Sequence, residues 1–90
     1  MQPKIVTDSD GREDWYLNGQ PHREDGPAVT GADGYKAWYL HGLIHREGGP
    51  AIISADGTER WFLYGKQLTE NEHWAIKFKK QIDEAVNAST

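Results

Sequence analysis

The sequence predicts a mainly β fold of the α+β class: an antiparallel meander of three β-hairpins followed by one C-terminal amphipathic helix. Three observations predict it. Aromatic and glycine residues recur every 23 residues, an Asp-Gly pair separates two apolar runs in each copy, and the apolar spacing becomes helical after residue 69. The chain, residues 1–90, is expected to form a single domain, with hairpin repeats over 3–68 and a helical segment over 69–87.

The repeat rests on residues that keep a spacing of 23 through three copies. Such periods are typical of proteins built from stacked units that share a core. Asp-Gly recurs at 10–11, 33–34 and 56–57. The other columns are Trp15, Trp38 and Trp61; Tyr16, Tyr39 and Phe62; Leu17, Leu40 and Leu63; Gly19, Gly42 and Gly65; and Val6, Val29 and Ile52.

Each unit is interpreted as one β-hairpin. Asp-Gly between alternating apolar runs is a strong hairpin signal, because a type I′ turn needs positive φ at both central residues. In the run that ends Trp-Tyr-Leu, Trp and Leu share one face of the strand, whereas Tyr or Phe points to the other face. The predicted strands lie near 3–8, 12–18, 27–32, 35–41, 50–55 and 58–64.

The stretches between hairpins are interpreted as connectors. A strand ends at Asn18-Gly19, at His41-Gly42 and at Tyr64-Gly65, where left-handed geometry is permitted. The segments HREDGP (22–27) and HREGGP (45–50) then lead into the next strand. Their prolines stand at the first residue of that strand, where a missing N–H is tolerated.

The third copy changes into a helix. Thr69 followed by Glu72 fits a capping box. The apolar residues that follow at helical spacing are Trp74, Ala75, Phe78, Ile82, Ala85 and Val86. A helix over about 70–86 is expected to cover one face or end of the sheet, as repeat arrays need at their last unit.

Composition excludes several classes of protein. There is no cysteine, which excludes disulfides and thiolate metal sites, and no apolar run approaches the length of a membrane span. The net charge of −4 argues against direct nucleic-acid binding, which favours a basic surface. We therefore expect a cytoplasmic location.

The repeat resembles a known family. Asn18-Gly19, His22, Gly26 and Asp33-Gly34, with the same series beginning at Gly42, are similar to MORN repeats, and WYLNGQPHREDGPAV looks like the MORN-variant repeats of phage and large-DNA-virus proteins. The resemblance covers about residues 3–68. It implies an extended single-sheet scaffold that binds partners. The phage-like variant implies a small accessory protein that binds and inhibits a host protein, such as a restriction or CRISPR component.

The twin His-Arg-Glu segments are the most suggestive polar residues. Histidine as a base oriented by glutamate would suit catalysis, but the two copies lie one unit apart and no nucleophile recurs in phase with them. A structural connector is favoured, and a binding edge formed by stacked connectors is the alternative. Metal ligation would use His22, His41, His45 and His73, yet none has zinc-site spacing, so neither metal nor cofactor is expected.

The aromatic columns have two interpretations each. The tryptophan column is either a platform for bases or sugars or, as we favour, a core ladder under the helix, with Trp74 and Phe78 packed on it. The column of Tyr16, Tyr39 and Phe62 faces the other side, which a sheet covered on one face leaves in water. An exposed aromatic row is typical of a protein contact, although it also fits simple cross-strand stabilisation.

The sequence thus favours a non-enzymatic, protein-binding repeat module. The expected partner-binding residues are Tyr16, Tyr39, Phe62, His22, Arg23, Glu24, His45, Arg46 and Glu47. One alternative is an acidic nucleic-acid mimic that occupies a host DNA- or RNA-binding channel; another is a MORN-type scaffold at a membrane surface. A homodimer through sheet edges is also possible, because the first strand presents Ile5 and Val6 without a neighbour.

Overall fold

The computed structural model describes the backbone of residues 3–88 and the side chains of residues 3–79. It is mainly β, with an antiparallel sheet of hairpin-like strands and one C-terminal helix, as the sequence predicts. The molecule is flat and elongated, with principal extents of 54 × 34 × 17 Å.

Residues 3–88 contain ten short strands and one helix. The strands are β1 Lys4–Thr7, β2 Glu13–Leu17, β3 Gln20–Pro21, β4 Val29–Thr30, β5 Lys36–Ala37, β6 Tyr39–Leu40, β7 Leu43–Ile44, β8 Ile52–Ile53, β9 Glu59–Leu63 and β10 Lys66–Leu68, and the helix is α1 Glu70–Ala88. The main sheet has the order β1-β2-β4-β5-β8-β9-β10, with β3 paired to β2, and β6 and β7 form a separate pair.

The prediction of six strands is incomplete, because the chain reverses at each x-Gly pair. Asn18 and Gly19 have φ of 53° and 78°, and His41-Gly42 and Tyr64-Gly65 adopt the same left-handed pair. Two positive φ values in succession make a tight two-residue turn. The chain therefore folds back along its own strand. The return strands β3 and β7 lie in stretches that the sequence interpretation treated as connectors, and β10 is the return strand after Gly65.

The Asp-Gly turns differ from the type I′ turns expected. Only their glycines have positive φ, as Gly11 does at 90°. Around it, the Gly11 N–H bonds the Asp8 carbonyl at 3.2 Å, and the Asp8 N–H bonds the Arg12 carbonyl at 3.0 Å. This is a three-residue loop that ends in a left-handed glycine. The carboxylate of Asp8 accepts the backbone N–H groups of Asp10 and Arg12, which stabilises the loop.

The buried core is thin and consists of small side chains. Its apolar members are Ala28, Ala37, Ala51, Ile52 and Leu68, and the imidazoles of His22, His45 and His73 are buried with them. All three repeat tryptophans are only half-buried. The expected tryptophan ladder under the helix is therefore wrong. Within the described side chains, the ring contacts between these tryptophans and the helix are those of Trp61 with His73 and Trp74.

The start of helix α1 follows the predicted capping box. The Glu72 N–H bonds the Thr69 hydroxyl at 3.1 Å, and the Thr69 N–H bonds the Glu72 carboxylate at 2.9 Å. The second bond lowers the pKa of Glu72. Phe78 stacks on Trp74 with ring centroids 6.2 Å apart, yet its side chain is 55% exposed. Ile82, Ala85 and Val86, also predicted to pack, lie outside the described side chains.

Two glycine substitutions test the x-Gly turns. Gly42→Ala should lower the free energy of unfolding by about 1–2 kcal/mol, because φ is 83° there and an L-residue is strained in that region. Gly48→Ala is the control: a Cβ at Gly48 meets no atom within 4 Å and its φ is ordinary, so the change should stay within about 0.5 kcal/mol. Chemical denaturation measures both. Equal effects would contradict the assignment of the turn.

Candidate partner-binding grooves beside the tryptophan–arginine stacks

Each connector lies between two strands and bonds both. The His22 N–H donates to the carbonyl of Trp15, in its own hairpin, at 3.0 Å. The next N–H along the chain, that of Arg23, donates to the carbonyl of Tyr39, in the following hairpin, at 3.0 Å. The second connector repeats the pattern from His45 to Trp38 at 3.0 Å and from Arg46 to Phe62 at 3.3 Å. The His-Arg pair is thus fixed in position by its backbone.

The two connector imidazoles are hydrogen-bonded to the following hairpin. His22 Nδ1 accepts the N–H of His41 at 2.8 Å, and His45 Nδ1 accepts the N–H of Tyr64 at 2.9 Å. Each imidazole also lies against the ring of that donor residue, with centroids 4.3 and 4.0 Å apart. A neutral imidazole that accepts at Nδ1 carries its proton on Nε2. The Nδ1 lone pairs are therefore already used inside the protein.

The neighbouring arginines stack on tryptophans. The guanidinium carbon of Arg23 lies 3.9 Å from the ring centroid of Trp15, and that of Arg46 lies 3.8 Å from the ring centroid of Trp38. Cations at this distance are attracted by the negative face of an indole. Each guanidinium also donates from Nη1 to a proline carbonyl, at 3.4 Å to Pro27 and at 3.1 Å to Pro50.

Glycine follows each arginine by three residues for a steric reason. A Cβ at Gly26 would lie 3.0 Å from the Arg23 guanidinium, and a Cβ at Gly49 would lie 3.0 Å from Nη1 of Arg46. Both distances are tighter than ordinary van der Waals contact. The two glycines therefore leave room for the arginine to lie flat on its tryptophan.

The two connectors differ in one acidic residue. Arg23 Nε donates to Asp25 Oδ1 at 2.9 Å, and this hydrogen bond holds the pKa of Asp25 below its usual value. Twenty-three residues later the equivalent position is Gly48. Among the side chains of residues 3–79, no carboxylate forms an ion pair with Arg46. Burial lowers the pKa of Arg46, whereas the more distant charge of Glu59 raises it.

The connectors and tryptophans line two open grooves. Groove 1, of about 380 Å³, is lined by Trp15, Leu17 and the first connector. Groove 2, of about 400 Å³, is lined by Trp38, Leu40 and the second connector, and also by Arg23 and Glu24 of the first connector. Each groove has an apolar floor and a rim with charges of both signs. Arg23, Glu24, Arg46 and Glu47 thus line one groove together, and their role in partner binding stays a prediction.

The tyrosine column has a different environment from the one expected. Tyr16, Tyr39 and Phe62 are half-buried rather than an exposed row. Tyr39 lines a third depression, of about 620 Å³, together with the turn carboxylates Asp8, Asp10 and Asp33, and its burial raises the pKa of its hydroxyl. Their role in partner binding remains a prediction. The exposed aromatic side chain beside groove 2 is Tyr64, which is 64% exposed and which sequence analysis did not single out.

Sequence reasoning missed the tryptophan–arginine stacks, although a signal for them exists. Trp and Arg recur eight residues apart in the first two units, at 15 and 23 and at 38 and 46, whereas the third unit has Thr69 at the corresponding place. There the helix supplies His73 and Trp74, whose rings lie 4.9 and 5.5 Å from that of Trp61. Each repeat tryptophan thus has a partner against its ring. The partner is an arginine in the first two units, and His73 and Trp74 in the third.

The chain matches no protein-family model, no curated protein and no solved structure. Within the described residues, no three His, Asp or Glu side chains are grouped so that they could hold a metal ion. No helix in that part of the chain has the length and apolar character needed to cross a membrane. The likeness to MORN repeats therefore rests on the motif alone.

The role of the buried imidazoles can be tested residue by residue. His22→Leu should destabilise the protein by about 1–3 kcal/mol, because the His41 N–H loses its acceptor. Leucine is the natural residue at the corresponding position of the third unit, Leu68, where it is buried. Amide hydrogen exchange should show faster exchange at His41 and an unchanged rate at Tyr64, and His45→Leu should reverse this pattern. Unaltered protection of His41 in the first variant would contradict the assignment.

Proposed function

We propose that the chain is an array of three 23-residue hairpin units that binds another protein and performs no catalysis. The observation that carries the proposal is the repetition of one groove in adjacent units. Each groove combines a tryptophan, a leucine and an arginine that is held flat on the tryptophan ring. Tryptophan and arginine are the residues most often responsible for binding energy at protein interfaces.

The state of the imidazoles favours recognition over catalysis. A general base needs a free nitrogen within reach of a substrate proton. In both connectors the Nδ1 atom already accepts a backbone N–H, and the side chains of His22 and His45 are buried. Conversion of either imidazole into a base would break a bond between two hairpins, so the histidines are better suited to hold the grooves in place.

The charge pattern of the grooves favours a protein partner. Groove 2 is lined by two arginines and two glutamates, whereas phosphate-backbone binding favours a surface of positive charge. Mixed charge around an apolar floor matches the polar rim and apolar centre of protein interfaces. The resemblance to phage-type repeats extends the proposal: the partner is a host protein that the chain inhibits.

An acidic nucleic-acid mimic is the second candidate. It is favoured by the third depression, where Asp8, Asp10 and Asp33, from two successive hairpin turns, line the same surface. A mimic of this kind would bind a basic channel with an affinity that falls steeply with salt, because the contact would depend on its charges. The groove contact should depend much less on salt, since its floor is apolar.

Two charge-matched variants separate the candidates after affinity capture from host lysate has supplied a binding protein. Glu24→Lys with Glu47→Lys changes the groove rims, and Asp10→Lys with Asp33→Lys changes the acidic turns. Each substitution adds two units of positive charge, so each pair brings the net charge of the chain from −4 to 0. The first pair should weaken binding by about tenfold or more, equivalent to about 1.4 kcal/mol, and the second should leave it nearly unchanged. Calorimetry on the purified complex measures both.

The outcomes of this experiment are distinct. Loss of binding in the turn variant alone, with a steep salt dependence, would favour the mimic. A third variant, Tyr16→Ser with Tyr39→Ser, tests the tyrosine column. Loss of binding in that variant alone would show that the partner binds the tyrosine column and not the grooves. Full affinity in the groove variant contradicts the proposal.

A further inference from the structure

The first connector contains a carboxylate that the second one lacks. At Arg23, Nη1 donates to a backbone carbonyl and Nε donates to Asp25 at 2.9 Å, while the guanidinium lies over Trp15. The side chain of Asp25 is 81% exposed, so this carboxylate reaches the arginine from the solvent side of the groove. The Arg23–Asp25 pair is therefore an example, within the protein, of how an acidic side chain can bind a connector arginine.

Arg46 is held in the same way but without the acid. Its guanidinium lies 3.8 Å from the centroid of Trp38, and its Nη1 donates to the Pro50 carbonyl at 3.1 Å. The residue that corresponds to Asp25 is Gly48, whose Cβ position is open space. Within residues 3–79 no carboxylate pairs with this guanidinium.

We propose that groove 2 binds an aspartate or glutamate side chain of a partner protein, which pairs with Arg46 where Asp25 pairs with Arg23. The inference rests on the proposed function and specifies the chemistry of the partner. Charge-assisted bonds between a guanidinium and a carboxylate are among the stronger hydrogen bonds in proteins. An arginine already ordered by stacking and by a backbone bond loses little further side-chain freedom when it binds.

The other residues of groove 2 determine which partner residues can lie next to the acidic side chain. An exposed ion pair by itself contributes little to affinity, so the apolar floor must supply additional binding. Trp38 and Leu40 form this floor, and Tyr64 lies beside it. The carboxylates of Glu24 and Glu47 line the same groove, where they would attract a basic group of the partner and repel a second acid. The partner segment that fits is a single acidic residue adjacent to an apolar one.

The test is an NMR titration with the capped dipeptide acetyl-Leu-Asp-amide, with acetyl-Leu-Asn-amide as its isosteric neutral control, at constant ionic strength. The observed nuclei are the Nε–H groups of the arginines and the indole N–H of Trp38. Arg60 serves as an internal reference, because it is a surface arginine without a stacking partner among the described residues. The Arg46 signal should shift and saturate, with the acidic peptide bound at least about fivefold more tightly than the neutral one.

Two variants supply matched controls. Gly48→Asp places a carboxylate where Asp25 stands in the first connector, and a Cβ at Gly48 meets no atom within 4 Å. This variant should abolish the response at Arg46. Asp25→Gly should create a second responding arginine, Arg23. A response at Arg46 no larger than that at Arg60, or one that persists in Gly48→Asp, would overturn the inference.

Failure of this inference can be told apart from failure of the proposed function. If a captured host protein binds wild type and Gly48→Asp equally well, but binds the Glu24→Lys, Glu47→Lys variant poorly, the grooves bind protein and the carboxylate proposal is wrong. If the acidic dipeptide binds at Arg46 as described while both variants keep full affinity for the captured protein, the carboxylate site stands and the groove-based function is wrong.

Discussion

The arrangement of the sheet depends on one hydrogen bond that recurs between neighbouring hairpins. A buried imidazole, His22 or His45, uses Nδ1 to accept the backbone N–H of the residue 19 positions later. That donor residue stands in a left-handed turn, where it cannot form an ordinary ladder bond, and the imidazole satisfies its N–H instead. Because the donor and the acceptor belong to different hairpins, the bond fixes how far apart and in which orientation successive hairpins lie.

The end of the array follows from the same constraint. The third unit is followed by helix α1 rather than by a hairpin. The helix offers no turn amide like those of His41 and Tyr64 to a histidine at position 68, and an apolar leucine is buried there. Position 69 is likewise threonine rather than arginine, which leaves Trp61 to the helix. Helix α1 covers that tryptophan with Trp74 and with His73, whose Nε2 donates to the Arg46 carbonyl at 2.7 Å. The helix thus supplies, from outside the repeat, contacts that a further connector would have made.

The sequence was sufficient for the fold class because its strongest signals are local. Asp-Gly pairs, paired left-handed positions and the Thr69–Glu72 capping box each specify short-range geometry. Two features could not be predicted in this way. The return strands after Gly19, Gly42 and Gly65 depend on which strand edge is free, and the core depends on which side chains the return strands enclose. The core therefore consists largely of alanine and histidine side chains, whereas the sequence pattern favoured a core of tryptophans.

The same limit applies to the candidate site. The His-Arg-Glu segments were recognisable from their repetition, but the separate role of each residue was not. The imidazole faces inward to the next hairpin, the guanidinium lies on a tryptophan, and the glutamate is exposed at the rim. These positions require the return strand, which places Arg23 beside Trp15 although the two are eight residues apart. The sequence alone therefore could not show that Asp25 pairs with Arg23 and that Gly48 stands at the equivalent place beside Arg46.

The most direct test of this account is the tautomeric state of the two connector histidines. Long-range ¹H–¹⁵N correlation spectra at neutral pH should show His22 and His45 protonated at Nε2 alone, with a scalar coupling through the hydrogen bond from each Nδ1 to the amide nitrogen of His41 or Tyr64. A proton on Nδ1 of either imidazole, or the absence of both couplings, would show that these histidines do not join the hairpins and would contradict the account.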